Sequence, residues 1–190
     1  MNLERPSGTE LQPSRQENPG SRTEPWLRGT LTELPAEQRA VLHALQLAQE
    51  DMERWCGPLR EEELHARPHG LAPVSFHLRH IAGSLDRLLT YAEGDSLSEG
   101  QMRVLAAEQD ANGSKQELLA ELERGLRSAE LRILAIVPAR WHESRTVGRK
   151  QLPTTVAGLL IHCADHTQRH VGQAVLTAKL LVALRETGST

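Results

Sequence analysis

Apolar residues recur in four long blocks at the three- and four-residue steps of an α-helix, and polar or turn-forming stretches separate the blocks. In the first block Val41, Leu45, Ala48, Met52 and Trp55 share one face of a helix predicted within residues 34–59, with Pro35 where a first helical turn tolerates it. The stretch "HARPHGLAP", residues 65–73, breaks that pattern. Ser75 then stands where it could cap a second helix over 76–94, whose stripe is Leu78, Ile81, Leu85 and Ala92. Residues 95–113 predict a loop with a short helix, closed by the turn signal Asn112-Gly113. Ser114 to Glu117 reads as a capping box that opens a third helix at Lys115, which stops by Pro138. The connection over 138–153 contains "TVGRK", whose β-branched pair is too little to predict a strand. Pro153, Thr154 and Thr155 predict the start of a fourth helix that runs from 156 to about 186.

Such a series predicts an all-α fold, an antiparallel four-helix bundle over residues 34–186. Residues 1–33 are rich in Pro, Gly, Ser, Glu and Arg and nearly lack periodic apolar positions. They cannot bury enough surface to offset the entropy of ordering, which predicts a disordered N-terminal tail, and 187–190 form a short C-terminal one. A chain of 190 residues with 38% hydrophobic content suits one domain with a real core. The formal net charge of -3 supplies no cationic field to gather phosphates, so nucleic acid is not an expected partner. No apolar run reaches the ~18 residues of a membrane span, and the N-terminus lacks an apolar signal core, so no membrane is expected. The two cysteines, Cys56 and Cys163, have no CxxC spacing. That argues against a disulfide framework and a thiolate zinc site, and fits buried thiols in a reducing cytoplasm.

Candidate chemistry lies with the nine histidines. His162, His166 and His170 follow one another at four-residue spacing, which puts side chains on successive turns of one helix about 5–6 Å apart. Against the stripe of Val156, Leu160, Cys163, Ala174, Ala178 and Leu181, His170 lies beside the apolar face, His166 a step further round and His162 further still. His166 and His170 are therefore the inward pair, half of a metal site that needs a ligand from another helix. The second helix offers His77 and His80. Its main stripe favours His77, whereas an adjacent row of Phe76, His80, Ser84 and Tyr91 favours His80, and we prefer His80 because the only Phe of the chain shares its row. "HCADH" lacks the glutamate of a zincin helix, and the one Glu-x-x-His motif, Glu62 to His65, falls in a loop, against a carboxylate-bridged di-iron bundle. His43, His65, His69 and His142 read as ordinary surface or hydrogen-bonded histidines. Asp165 and Arg169 form an i, i+4 pair in which Asp165 could also orient a ligand imidazole. Gly172 in mid-helix suggests close approach of a backbone or a ligand, and Gln173 is a candidate donor to water or substrate.

"SFHLRHIAGSLDRL" and "HTQRHVGQ" together resemble the two histidine helices of the DinB/YfiT-like superfamily, in the expected order and separation, over roughly residues 35 to 186. The resemblance implies an up-down-down-up four-helix bundle, often a homodimer, with a divalent metal on His80, His166 and His170. His77, His162, Asp165 and Gln173 would be accessory. Arg169 and Val171 stand where such proteins often have histidine and arginine, which weakens inference about substrate. Zn or Ni suits three neutral imidazoles with an open position. The implied activities are thiol-dependent S-transfer, with a low-molecular-weight thiol as cosubstrate, or hydrolysis of a small molecule. Asp165, Asp86, Glu143 and Tyr91 are the candidate helpers. The alternative is a non-catalytic metal-binding or dimerising helical module.

Overall fold

The computed structural model of the chain describes residues 23–188. Four long helices dominate it: α1 (Ala36–Cys56), α3 (Val74–Glu93), α5 (Lys115–Ala135) and α6 (Val156–Glu186). Two short ones, α2 (Glu61–Leu64) and α4 (Glu99–Ala107), lie in the connections. The stripes read from the sequence are the buried faces. On α3, Leu78, Ile81, Leu85 and Leu89 are all 0% exposed, and each such side chain contributes roughly 1.5–3 kcal/mol relative to exposure. Gly125 lets α5 approach α3 closely, since a Cβ there would lie 2.6 Å from the Cβ of Ala82.

α1 packs on α5 and α6, and α3 packs on the same two, so α1 and α3 are diagonal. Hydrogen bonds fix the directions. Gln38 at the start of α1 donates to the carbonyl of Ile133 near the end of α5, and Lys115 at the start of α5 donates to the carbonyls of Gly57 and Leu59 beyond the end of α1. Thr177, late in α6, reaches Ala72 just ahead of α3, while Arg185 at the end of α6 pairs with Glu63 just after α1. α1 and α6 thus run one way, α3 and α5 the other, which is the up-down-down-up bundle. Among the described residues no helix is long and apolar enough to cross a membrane.

The local details depart from the sequence reading in three places. α5 opens with the expected Ser114–Glu117 capping box, and a second box, Ser98–Gln101, opens α4. α3, however, begins at Val74 after Pro73, so Ser75 is not its cap but a buried first-turn residue. The connection after α5 contains a hairpin where no strand was expected: β1 (Ser144–Val147) pairs antiparallel with β2 (Leu152–Thr155). A two-stranded ribbon this short is marginal by itself. It is held by tertiary contacts, with Arg145 donating to the carbonyl of Ala92 on α3 and the Val156 amide donating to the Glu143 carbonyl. Pro153 therefore lies in β2, and Thr155 caps α6, its hydroxyl accepting from the Gly158 amide.

Of the stretch read as an N-terminal tail, residues 23–33 are described and lie against α1. Pro25 is buried in a 3-10 turn, Arg28 makes a two-pronged ion pair with Glu50, and Thr30 bonds His43. Pro25, the half-buried Leu31 that packs on the core, and these polar contacts hold the segment, a pattern without the periodicity that a sequence reading detects. Residues 1–22 and 189–190 of the two tails lie outside the described residues.

Candidate metal centre

Because α3 and α6 are adjacent and antiparallel, successive turns on one face the histidines on the other. His80 meets His166, with Nε2 to Nε2 at 2.9 Å, and His77, one turn earlier, meets His170, with Nδ1 to Nδ1 at 3.0 Å. The rings of His80, His166 and His170 converge, with centroids 4.3 Å (His80–His170), 4.6 Å (His166–His170) and 5.1 Å (His80–His166) apart. One ligating atom from each of the three lies within 4.8 Å of the others, and all three residues are half-buried.

Electrostatics favour lone pairs over charge at this cluster. Burial, followed by the neighbouring imidazole of His80, pushes His77 down to about 4. Burial and then His80 and His162 push His166 down to about 4, and burial with His80, His166 and His77 pushes His170 down to about 3. Near neutral pH these imidazoles are therefore uncharged, the state in which a histidine can ligate a metal.

His80 is further constrained on its other nitrogen. The carboxylate of Glu108, 3% exposed, accepts from His80 Nδ1 at 2.7 Å with Oε2 and from Arg87 Nη1 at 2.6 Å with Oε1. A carboxylate in this arrangement only accepts, so Nδ1 of His80 carries a hydrogen and Nε2 is the nitrogen turned toward the cluster. Phe76 stacks on the same ring, centroids 5.1 Å apart and planes 22° apart.

The donor set fits a divalent ion. Two nitrogens on one tetrahedral zinc, each about 2.0–2.1 Å from it, stand about 3.3 Å apart. The 2.9 Å between His80 and His166 is within a few tenths of that.

Other residues singled out from the sequence are placed elsewhere. His77 is 2% exposed and lies behind His170, outside the three-nitrogen cluster. His162 is exposed, 3.6 Å from Asp165, which is itself paired with Arg169 at 2.6 Å; Asp165 is part of a surface ion pair. Gln173 is exposed, and Gly172 is exposed with nothing within 4 Å of a Cβ, so no backbone among the described residues makes the close approach suggested for Gly172. Asp86 accepts from Arg132 and Gln101, Glu143 from Arg140 and Arg145, and Tyr91 lies further along α3, beside Gly94 and the hairpin. Glu108 and Arg87 escaped the sequence reading. Glu108 follows α4, with no periodic link to the histidines; the available signal was Gly83, an unexplained glycine inside α3 one turn after His80.

The sequence profile of the DinB superfamily matches residues 44–174, from within α1 to within α6. The chain belongs to the DinB superfamily. The matched DinB region contains all three converging histidines together with Glu108. No curated protein matches the chain.

Proposed function

We propose that this DinB-superfamily chain is a divalent-metal-dependent enzyme that transfers a low-molecular-weight thiol onto a small electrophilic substrate, with Zn or Ni held by His80, His166 and His170. The convergence of those three nitrogens within 4.8 Å, on helices that the core fixes in place, carries the reading. Three protein ligands are the donor count of a catalytic site, because structural zinc is normally closed by four. A bound ion would supply the Lewis acidity that favours a thiolate over a thiol near neutral pH. Residues of the chain do the rest: Glu108 orients His80, His77 backs His170, and burial keeps His166 and His170 neutral. Transfer forms a C–S bond at the electrophilic carbon while the leaving group departs with its bonding pair, and the proton of the thiol passes to solvent.

Thiol transfer is preferred to hydrolysis because the nearby carboxylates have other partners. Glu108 is held by His80 and Arg87, Asp165 by Arg169, Asp86 by Arg132. A thiol with a pKa of about 8.5 needs far less help from a general base than water at about 15.7.

The test is elemental analysis of protein purified without chelator or histidine tag, followed by assays with paired thiols and electrophiles. Near one equivalent of Zn or Ni and thiol conjugation are expected, both lost in His166→Ala and His170→Ala. One equivalent of metal without turnover of thiols, electrophiles or esters would favour the non-catalytic module. No metal bound, and none taken up on titration, would refute the metal-dependent reading.

A further inference from the structure

We infer that Glu108, seated by Gly83 and Arg87, is the positioning residue of this centre: it holds His80 in the one orientation that aims Nε2 at the ion, and it ties α4 to the site. The inference rests on the metal-binding reading above. A buried carboxylate costs several kcal/mol unless it is paired and hydrogen-bonded. At Glu108 both oxygens are engaged, one by His80 Nδ1 and one by Arg87, itself a buried side chain on the same helix as the ligand. Between the two, the carboxylate meets α3 at Gly83. A Cβ on Gly83 would come within 2.5 Å of Glu108 Oε1 and 2.8 Å of Arg87 Nη1. Glycine inside a helix is destabilising relative to alanine. Here the missing methyl is the space that the carboxylate occupies.

The segment bearing Glu108 shows the same dependence from its own side. No residue of α4 is buried, and Met102, Val104 and Leu105 are 41%, 49% and 37% exposed. Gln101 fastens the helix at one end through Asp86 and Thr90, and Glu108 fastens the other. Apolar packing does not explain why this stretch lies across α3; polar contacts do, with Glu108 the buried one and Arg79 of α3 adding bonds to Asp110 and Asn112 beyond it. Groups that hold the outer nitrogen of a ligating histidine set its tautomer and basicity, and their loss typically weakens metal binding about 10–100-fold without changing the ligand count.

The decisive experiment measures zinc affinity by competition with a chromophoric chelator, and the visible spectrum of the cobalt(II)-loaded protein, for the full chain and three variants. Glu108→Gln removes the charge, Gly83→Ala fills the cradle while leaving Glu108 itself unsubstituted, and Glu99→Gln, at a 96% exposed side chain of α4, is the control. We expect zinc stoichiometry to be retained, affinity to fall about 10–100-fold in Glu108→Gln and Gly83→Ala, the cobalt spectrum to shift in both, and the control to match the parent. Should Glu108→Gln fail to fold, Gly83→Ala and its cobalt spectrum still decide. Affinities within twofold of the parent with an unchanged cobalt spectrum would overturn the inference and leave the metal reading standing. A parent chain that takes up neither zinc nor cobalt would overturn both.

Discussion

A neutral imidazole has one lone pair, and the partner on its second nitrogen decides where that pair points. His80 has a carboxylate in that position and His170 has the buried His77. His77→Ala therefore removes a support and no ligand. Elemental analysis should still find near one metal per chain, with affinity reduced about tenfold, whereas His170→Ala should lose the metal; equal loss in both would make His77 a ligand in its own right. This pair also shows how far single-helix reasoning reaches. The apolar stripe of α3 placed His77 nearer the core than His80, and so it is, at 2% exposed against 17% for the side chain of His80. Depth is what amphipathicity measures, but ligation needs a place at the rim where several helices converge. On α6 the order of burial read from the wheel, His170 and His166 inward and His162 out, agrees with the structure. α3 buries twelve of its 20 residues against ten of 31 on α6, so its buried face is too wide for a wheel to rank.

Elements whose stability comes from their own periodicity were legible, and elements held from outside were not. α1, α3, α5 and α6 each carry a stripe; the β1–β2 hairpin has four-residue strands fastened by Arg145 and by the start of α6. α4 is the intermediate case, expected only as a short helix somewhere within residues 95–113 and docked through Glu108. Glu108→Ala should raise hydrogen exchange at the backbone amides of residues 99–107 while leaving the middles of α1 and α3 protected, and unchanged exchange would mean that Gln101 and the bonds from Arg79 to Asp110 and Asn112 suffice to hold α4. Gly172 gives a prediction of opposite sign. It is helical, exposed and faces open space, so Gly172→Ala should stabilise the fold by about 0.5–1 kcal/mol, read as a higher denaturation midpoint. Loss of turnover alongside that gain would mark Gly172 as ground over which substrate passes.

For the molecule as a whole, three depressed histidines make stability a function of pH. In the unfolded chain they titrate near 6.5; in the fold His77 and His166 are held near 4 and His170 near 3. Above about pH 6.5 both states leave them neutral, and nothing changes. As pH falls from 6.5 toward 4 the unfolded chain takes up protons that the folded one refuses, so stability declines through that window and the decline ends below about 3. The urea midpoint of metal-free protein should fall between pH 7 and 4.5, and less steeply in His170→Ala. A flat profile in the parent would show that the cluster is protonated in the fold. The bundle itself was legible from four periodic blocks. The direction of each helix was not, because periodicity says which face is buried and nothing of which way the long connection through α4 returns the chain.

The up-down-down-up order also sets a timetable. His80 and His166 are 86 residues apart, and the second lies on α6, which is made after the other three long helices. At the 5–20 residues per second of protein synthesis, roughly 4–17 s separate the two, and α3 must wait that long for the neighbour that covers its histidine face. A metal ion offered to the growing chain finds only the histidines ahead of α6, one of the three proposed ligands, until α6 leaves the ribosome and docks. Loading therefore follows folding, and a chain truncated ahead of α6 should retain no tightly bound zinc, however helical it is.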